Sequence, residues 1–193
     1  MKKLFVLASL VLCVIYANSQ TGRTHFGIKA GVNLSNLKSP NTDYDSKAGL
    51  HAGLLAHIHV ANHFAVQPEL VYSNQGTEYR NANDIYRTTL HYVNIPVLAQ
   101  YMTGSGFRLQ TGPQLGFLLD AKSKVNNSET KTDVESFFKT TDLSWAFGAS
   151  YLTNSGFGFD GRYNLGLSNI NDANATKVRN SVFQIGAFYQ FKH

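Results

Sequence analysis

Residues 48–60 alternate strictly between two faces. Ala48, Leu50, Ala52, Leu54, Ala56, Ile58 and Val60 are apolar, with Gly49, His51, Gly53, Leu55, His57 and His59 between them. A period of two sends successive side chains to opposite sides of an extended chain, so this is a strand with one oily and one mixed face. It is longer than the usual strand of about five or six residues and long enough to cross a bilayer at a tilt.

The same pattern recurs along the chain. Phe26, Ile28, Ala30, Val32 and Leu34 oppose His25, Gly27, Lys29, Gly31 and Asn33 in the first predicted strand, and residues 48–60 form the second. The third sets Phe64, Val66, Pro68, Leu70 and Tyr72 against Gln67, Glu69, Ser73 and Gln75, and the fourth sets Val93, Ile95, Val97, Ala99 and Tyr101 against Tyr92, Asn94, Pro96, Leu98 and Gln100. Leu109, Leu115 and Phe117 mark the fifth, Leu143, Trp145 and Phe147 the sixth, Phe159, Tyr163 and Leu165 the seventh, and Phe183, Ile185 and Phe191 the eighth. Polar stretches at 35–46, 76–87, 120–139 and 169–177 read as long loops, whereas 61–62, 103–106 and 153–156 read as tight turns. Pro68 and Pro96 lack a ladder donor, so a local irregularity is expected at each.

Long and short connections thus alternate along an even number of strands. That is the pattern of an all-β, eight-stranded antiparallel up-and-down transmembrane β-barrel, with both termini on the side of the short turns. A soluble barrel is the competing architecture, with its oily face inside. Long uninterrupted apolar faces, aromatics near strand ends and polar or Gly residues opposite them favour the membrane form. Charged residues make up only 15% of the chain, below the usual quarter, and the mean hydropathy of -0.19 does not suit a bundle of membrane helices. In this orientation Leu54 faces lipid and Gly53 the lumen. A charge at Leu54 is expected to cost about 2–4 kcal/mol, and the same charge at Gly53 less unless it overfills the lumen.

Lys2 and Lys3, an apolar run to Ile15 and the small residues Ala17, Asn18 and Ser19 form an export signal. The expected domains are therefore a cleaved signal peptide at 1–19 and a barrel at 20–193. Cys13, the only cysteine, leaves with the signal, which removes disulfide and thiolate chemistry. The formal charge falls from +5 to +3 when Lys2 and Lys3 go, and no basic block points to nucleic acid.

Four segments carry a family resemblance: Gly27 to Ser35, Gln67 to Ser73 with Gly76, Tyr92 to Leu98, and Arg162 to Ile170, together with the terminal Phe191. On these the chain resembles the PorT-like outer-membrane β-barrel family (the porin family, or outer membrane protein β-barrel domain) of Gram-negative bacteria. The resemblance implies an outer-membrane location. It further implies a porin-like protein or, as in the founding branch, a part in protein secretion.

The predicted lumen holds Lys29, Glu69, Arg108, Asp142, Asp160 and Arg162. Opposite charges in so narrow a barrel can pair and fill it as a structural plug, or they can line a narrow solute path. His57 and His59 share a face, with His63 following, so a metal site is a minor alternative. Ser73, Ser144 and Ser150 with His51 supply the parts of a hydrolase but no motif. The expectation is a monomer without catalysis or cofactor, contacting outer-membrane lipid and, through four external loops, ligands or other envelope proteins. A small passive pore and a component of a secretion assembly are the alternatives.

Overall fold

The computed structural model describes residues 24–39, 45–80, 84–126, 130–172 and 177–191; the predicted signal peptide, residues 1–19, lies outside them. Eight long strands carry the fold: β1 (Thr24–Lys38), β2 (Asp45–Ala61), β3 (Phe64–Arg80), β4 (Ile85–Met102), β5 (Phe107–Val125), β7 (Thr141–Leu152), β8 (Phe157–Gly166) and β9 (Arg179–Gln190). The two-residue β6 (Thr132–Asp133) and a short 3-10 turn (Glu135–Phe137) lie between β5 and β7. Each long strand pairs antiparallel with the next, and β1 pairs with β9, so the eight close into a ring with β6 hung on β5. Closure leaves the ring without a free edge.

Which face is buried decides between the two barrel types. On β1, Asn33 and Ser35 are 0% exposed while their neighbours Val32 and Leu34 are each 52% exposed. The polar side points inward and the apolar side outward, the reverse of a soluble barrel. At the short-turn end Phe26, Phe64, Tyr101, Phe107, Tyr151 and Phe157 form an exposed aromatic girdle, with Phe64 5.4 Å from Tyr101 and Phe157 5.7 Å from Tyr189. Rings at this level suit the head-group region, where an amphipathic side chain meets both lipid and water.

At the other end the strands run further than the hydrophobic alternation does. β1 reaches Lys38, β2 starts at Asp45, β3 reaches Arg80 and β4 starts at Ile85, all within stretches expected as loop; β5 continues to Val125. Outside a bilayer a ladder needs no oily face. Here cross-strand charge pairs support it, with Arg80 3.1 Å from Asp45 and Arg87 2.8 Å from Glu78.

Three further departures are local. Ala56 and Ile58 keep the outward parity of β2 but are buried, with Phe26, Thr24 and Val66 as cross-strand neighbours. At Pro68 and Pro96 the register is unchanged, and the shifts fall elsewhere, near 46–51, at 59–61 and at His91/Tyr92. The last is a bulge: His91 pairs with Asp120 and Tyr92 with Leu118, so Leu119 is extra and both Leu118 and Ala121 turn inward.

Gly53 does not accept a side chain of any kind, because a Cβ there would collide with the Leu70 carbonyl oxygen and the Val71 Cα. The overfilled case is the one that applies. Urea titration of the barrel folded in lipid vesicles should show Leu54→Arg destabilising by about 2–4 kcal/mol. Gly53→Ala should destabilise too although it adds no charge, and full tolerance of Leu54→Arg would contradict a lipid-facing position.

Candidate functional site

The polar residues of the inner wall are organised in layers. In the middle, Arg162 of β8 donates from Nη1 to Oε2 of Glu69 at 2.9 Å and from Nη2 to Oε1 at 2.8 Å, a bidentate pair. β8 and β3 stand opposite each other in the ring, four strands apart either way, so this pair crosses the lumen. Lys29 of β1 donates to Asp160 at 3.0 Å and reaches Glu69 at 3.4 Å; Asp160 also lies 3.8 Å from Arg162. Two cations and two anions thus form one group of zero formal charge, and Gln67 donates to Oε1 of Glu69 at 2.8 Å alongside Arg162. All four charged side chains are buried.

The other two predicted residues are not part of this group. Arg108 lies at the short-turn end, where Nη1 donates to Nδ1 of His57 at 3.4 Å and Nη2 to Gln190 at 3.3 Å. Asp142 lies toward the long loops and accepts from Ser168 at 2.7 Å and Asn180 at 3.2 Å. Sequence parity brings six charges to one wall but does not sort them by height. The structure separates them into a neutral tetrad, a cation held by neutral groups and an anion held by neutral groups.

Amides connect the upper layers, a role that the sequence reading did not assign. Asn180 of β9 donates to Gln75 of β3 at 2.6 Å, Gln75 donates to Ser73 at 2.9 Å, and Ser73 accepts from Asn33 of β1 at 2.8 Å. Asn33 Oδ1 accepts from Nδ1 of His51 at 2.7 Å and from Gln184 at 3.1 Å. His51 is therefore tied to Asn33, Ser73 is occupied by two amides, and Ser144 accepts from Gln114 at 3.1 Å. Neither Ser73 nor Ser144 bonds His51, and the buried Ser150 Oγ has no hydrogen-bond partner among the described residues, so none of the three pairs with a base as a hydrolytic nucleophile does. His57 and His59 stack edge to face at 4.6 Å, and His63 bonds the Met102 carbonyl at 3.0 Å. Among the described residues no group of three His, Cys, Asp or Glu side chains is placed to hold a metal.

Above the polar layers sits an apolar cluster of Leu37, Leu90, Tyr92, Leu118, Ala121 and Ile170, with Val134, Phe138 and Val178 packed on it. The loops that supply it are cross-tied: Val134 N–H donates to Ala121, Lys139 N–H to Ile170, and Ile170 N–H to Val178. No hydrophobic alternation marks this cap in the sequence. Its signal was the isolated Val134, Phe138 and Ile170 inside otherwise polar loops.

A ring of eight strands with a polar, charge-paired interior, an apolar exterior and an aromatic girdle now stands on the sequence. A family model described as outer membrane protein beta-barrel domain matches residues 16–172. The chain belongs to this family. Like other members it is a small outer-membrane β-barrel whose apolar wall meets the lipid bilayer. Its fold is similar to that of Neisserial surface protein A, at 16% identity and a TM-score of 0.58 over 86% of this chain and 97% of that one. It is also similar to Ail, the attachment invasion locus protein of Yersinia pestis, at 16% identity and a TM-score of 0.56 over 88% and 99%. At such identity the likeness carries the fold alone. No curated protein matches the chain by sequence.

Because Glu69 faces two cations and Asp142 only neutral donors, their removal should differ. Glu69→Gln leaves Arg162 and Lys29 with a deficit of negative charge and should destabilise the barrel by about 3–5 kcal/mol. Asp142→Asn exchanges one carboxylate for an amide among neutral partners and should cost about 1–2 kcal/mol. Urea unfolding from lipid vesicles measures both, and equal losses would contradict the layering.

Proposed function

We propose that this protein is a closed, monomeric outer-membrane barrel whose external loops contact ligands or neighbouring envelope proteins, with no catalysis and no cofactor. The observation that carries the reading is the double filling of the lumen. A neutral tetrad bridges opposite walls at mid-height, and an apolar cluster drawn from β1, β4, β5 and the loops covers the outer mouth. A solute path would need continuous polar lining and room for water; instead the outer end carries packed Leu, Ile and Phe side chains. Lys29, Glu69, Asp160 and Arg162 act as the structural plug, and Arg108 and Asp142 anchor its two ends.

Support for the outer end as the contacting surface comes from its construction. Strands extended past the oily band, the β6 ladder pairs Lys122 with Asp133 and Ser123 with Thr132, and the Phe138–Asn171 bridge hold the loop bases in fixed geometry. Function on a rigid scaffold concentrates in such loops. The finer placement in the PorT-like branch rests on the four motifs, and with it the alternative of a secretion assembly component. Fold analogy does not choose between these roles.

Planar bilayer recording of the purified protein tests the closed reading. The expected record shows insertion without sustained conductance steps. Stable steps of uniform size would overturn it in favour of the passive pore. A reproducible set of partners on mild-detergent pull-down from native membranes would favour the secretion alternative.

A further inference from the structure

At the long-loop end, on the outside of the barrel, a crevice of about 430 Å³ opens where β8, β1 and β9 meet. Lys38, Leu165, Lys177, Arg179 and Ser181 are among the residues that line it. Strand parity fixes the direction of these walls. Lys38 continues the outward series Val32 and Leu34, and Arg179 the outward series Phe183 and Ile185.

Register sets Lys38 directly opposite Arg179, and like charges opposite each other across an antiparallel ladder repel. Arg87 likewise faces Lys124 across β4 and β5, but there Glu78 bonds Arg87 at 2.8 Å, and Arg80 has Asp45 and Lys122 has Asp120 beside them. Among the described residues no carboxylate lies within salt-bridge distance of Lys38, Lys177 or Arg179, and Lys38 Nζ donates to the Tyr163 hydroxyl at 3.5 Å. Three cations gathered around one opening form a site that an anion would relieve.

Position identifies the kind of anion. Leu165 is itself part of the wall, and two outward positions along the strands from Lys38 and Arg179, Leu34 pairs with Phe183, both exposed to the membrane. The cations therefore stand where the apolar band gives way to the polar extensions, at head-group height on the outer leaflet. A free anion gains nothing from the oily flank, whereas an anionic lipid uses both parts of the surface. We propose that this crevice binds the phosphate of an outer-leaflet glycolipid, with Lys38, Lys177 and Arg179 around the phosphate and Leu165 against the adjoining acyl chain.

Calorimetric titration of the detergent-solubilised full barrel with monophosphoryl lipid A, the same lipid after dephosphorylation, and inorganic phosphate tests this. The intact barrel should bind monophosphoryl lipid A at least about tenfold more tightly than either of the others, because charge-assisted contacts and apolar burial act together. The triple variant Lys38→Gln/Lys177→Gln/Arg179→Gln should lose about tenfold or more of that affinity. Lys177→Gln alone, placed outside every strand and so harmless to folding, should lose about threefold and keeps the test sound if the triple variant fails to fold. Undiminished binding by these variants would overturn the proposal, as would equal binding of the dephosphorylated lipid. Inorganic phosphate bound as tightly as the lipid would assign the crevice to a free anion and likewise overturn it.

Discussion

The Arg162–Glu69 pair is the interaction on which the rest of this barrel depends. A membrane barrel faces lipid outside and must therefore keep its polar half inside, where eight strands leave room for little more than side chains. Charges taken out of water in that way are costly unless each finds a partner. The bidentate pair supplies this across the full width of the lumen, from β8 to β3, and Lys29 with Asp160 completes a group of zero formal charge. Such a group takes the place of the hydrophobic core that a soluble domain would have. Its worth lies less in net stabilisation than in the penalty for any arrangement that leaves one member alone.

Order along the barrel axis follows from that centre. Toward the short turns Arg108 is held by His57 and Gln190, and toward the loops the Asn180, Gln75, Ser73 and Asn33 chain links β9, β3 and β1. Leu55, Val71, Leu98 and Phe188 point inward among the polar groups, but beyond these layers the apolar side chains gather into a cluster at Leu37, Leu90, Leu118 and Ile170. The bulge beside Leu119 makes this change possible on β5, since it turns Leu118 and Ala121 to the same side. Lumen filling therefore shares the height of the lipid-facing wall, and the loop platform stands beyond both. The cationic crevice lies outside all of them, at the boundary where the lipid-facing wall ends.

Most of the fold was legible because a period of two is a local signal. Val32 against Asn33, or Leu50 against His51, is enough to assign faces, and the spacing of turns sets the strand order. The strand extensions were not legible for the opposite reason. Residues such as Asp45, Glu78, Arg80 and Arg87 pair as a ladder in water, where no oily face is needed and no alternation is written. Within the lumen, parity places Lys29, Glu69, Arg108, Asp142, Asp160 and Arg162 inward, but partnership depends on height and on strands distant in sequence. Glu69 and Arg162 are 93 residues apart, and nothing local marks them as a pair. The apolar cap was hidden likewise, because Ile170 and Phe138 meet through loops whose sequence is otherwise polar.

The central claim is that opposite walls are coupled through Glu69 and Arg162. A double-mutant cycle of Glu69→Gln, Arg162→Met and both together, read as unfolding free energy from lipid vesicles, measures that coupling directly. The account predicts that the double variant is far less damaged than the two single losses summed, with an interaction energy of about 2–3 kcal/mol. Additive losses within about 0.5 kcal/mol would contradict it, since they would mean that the two side chains do not depend on each other.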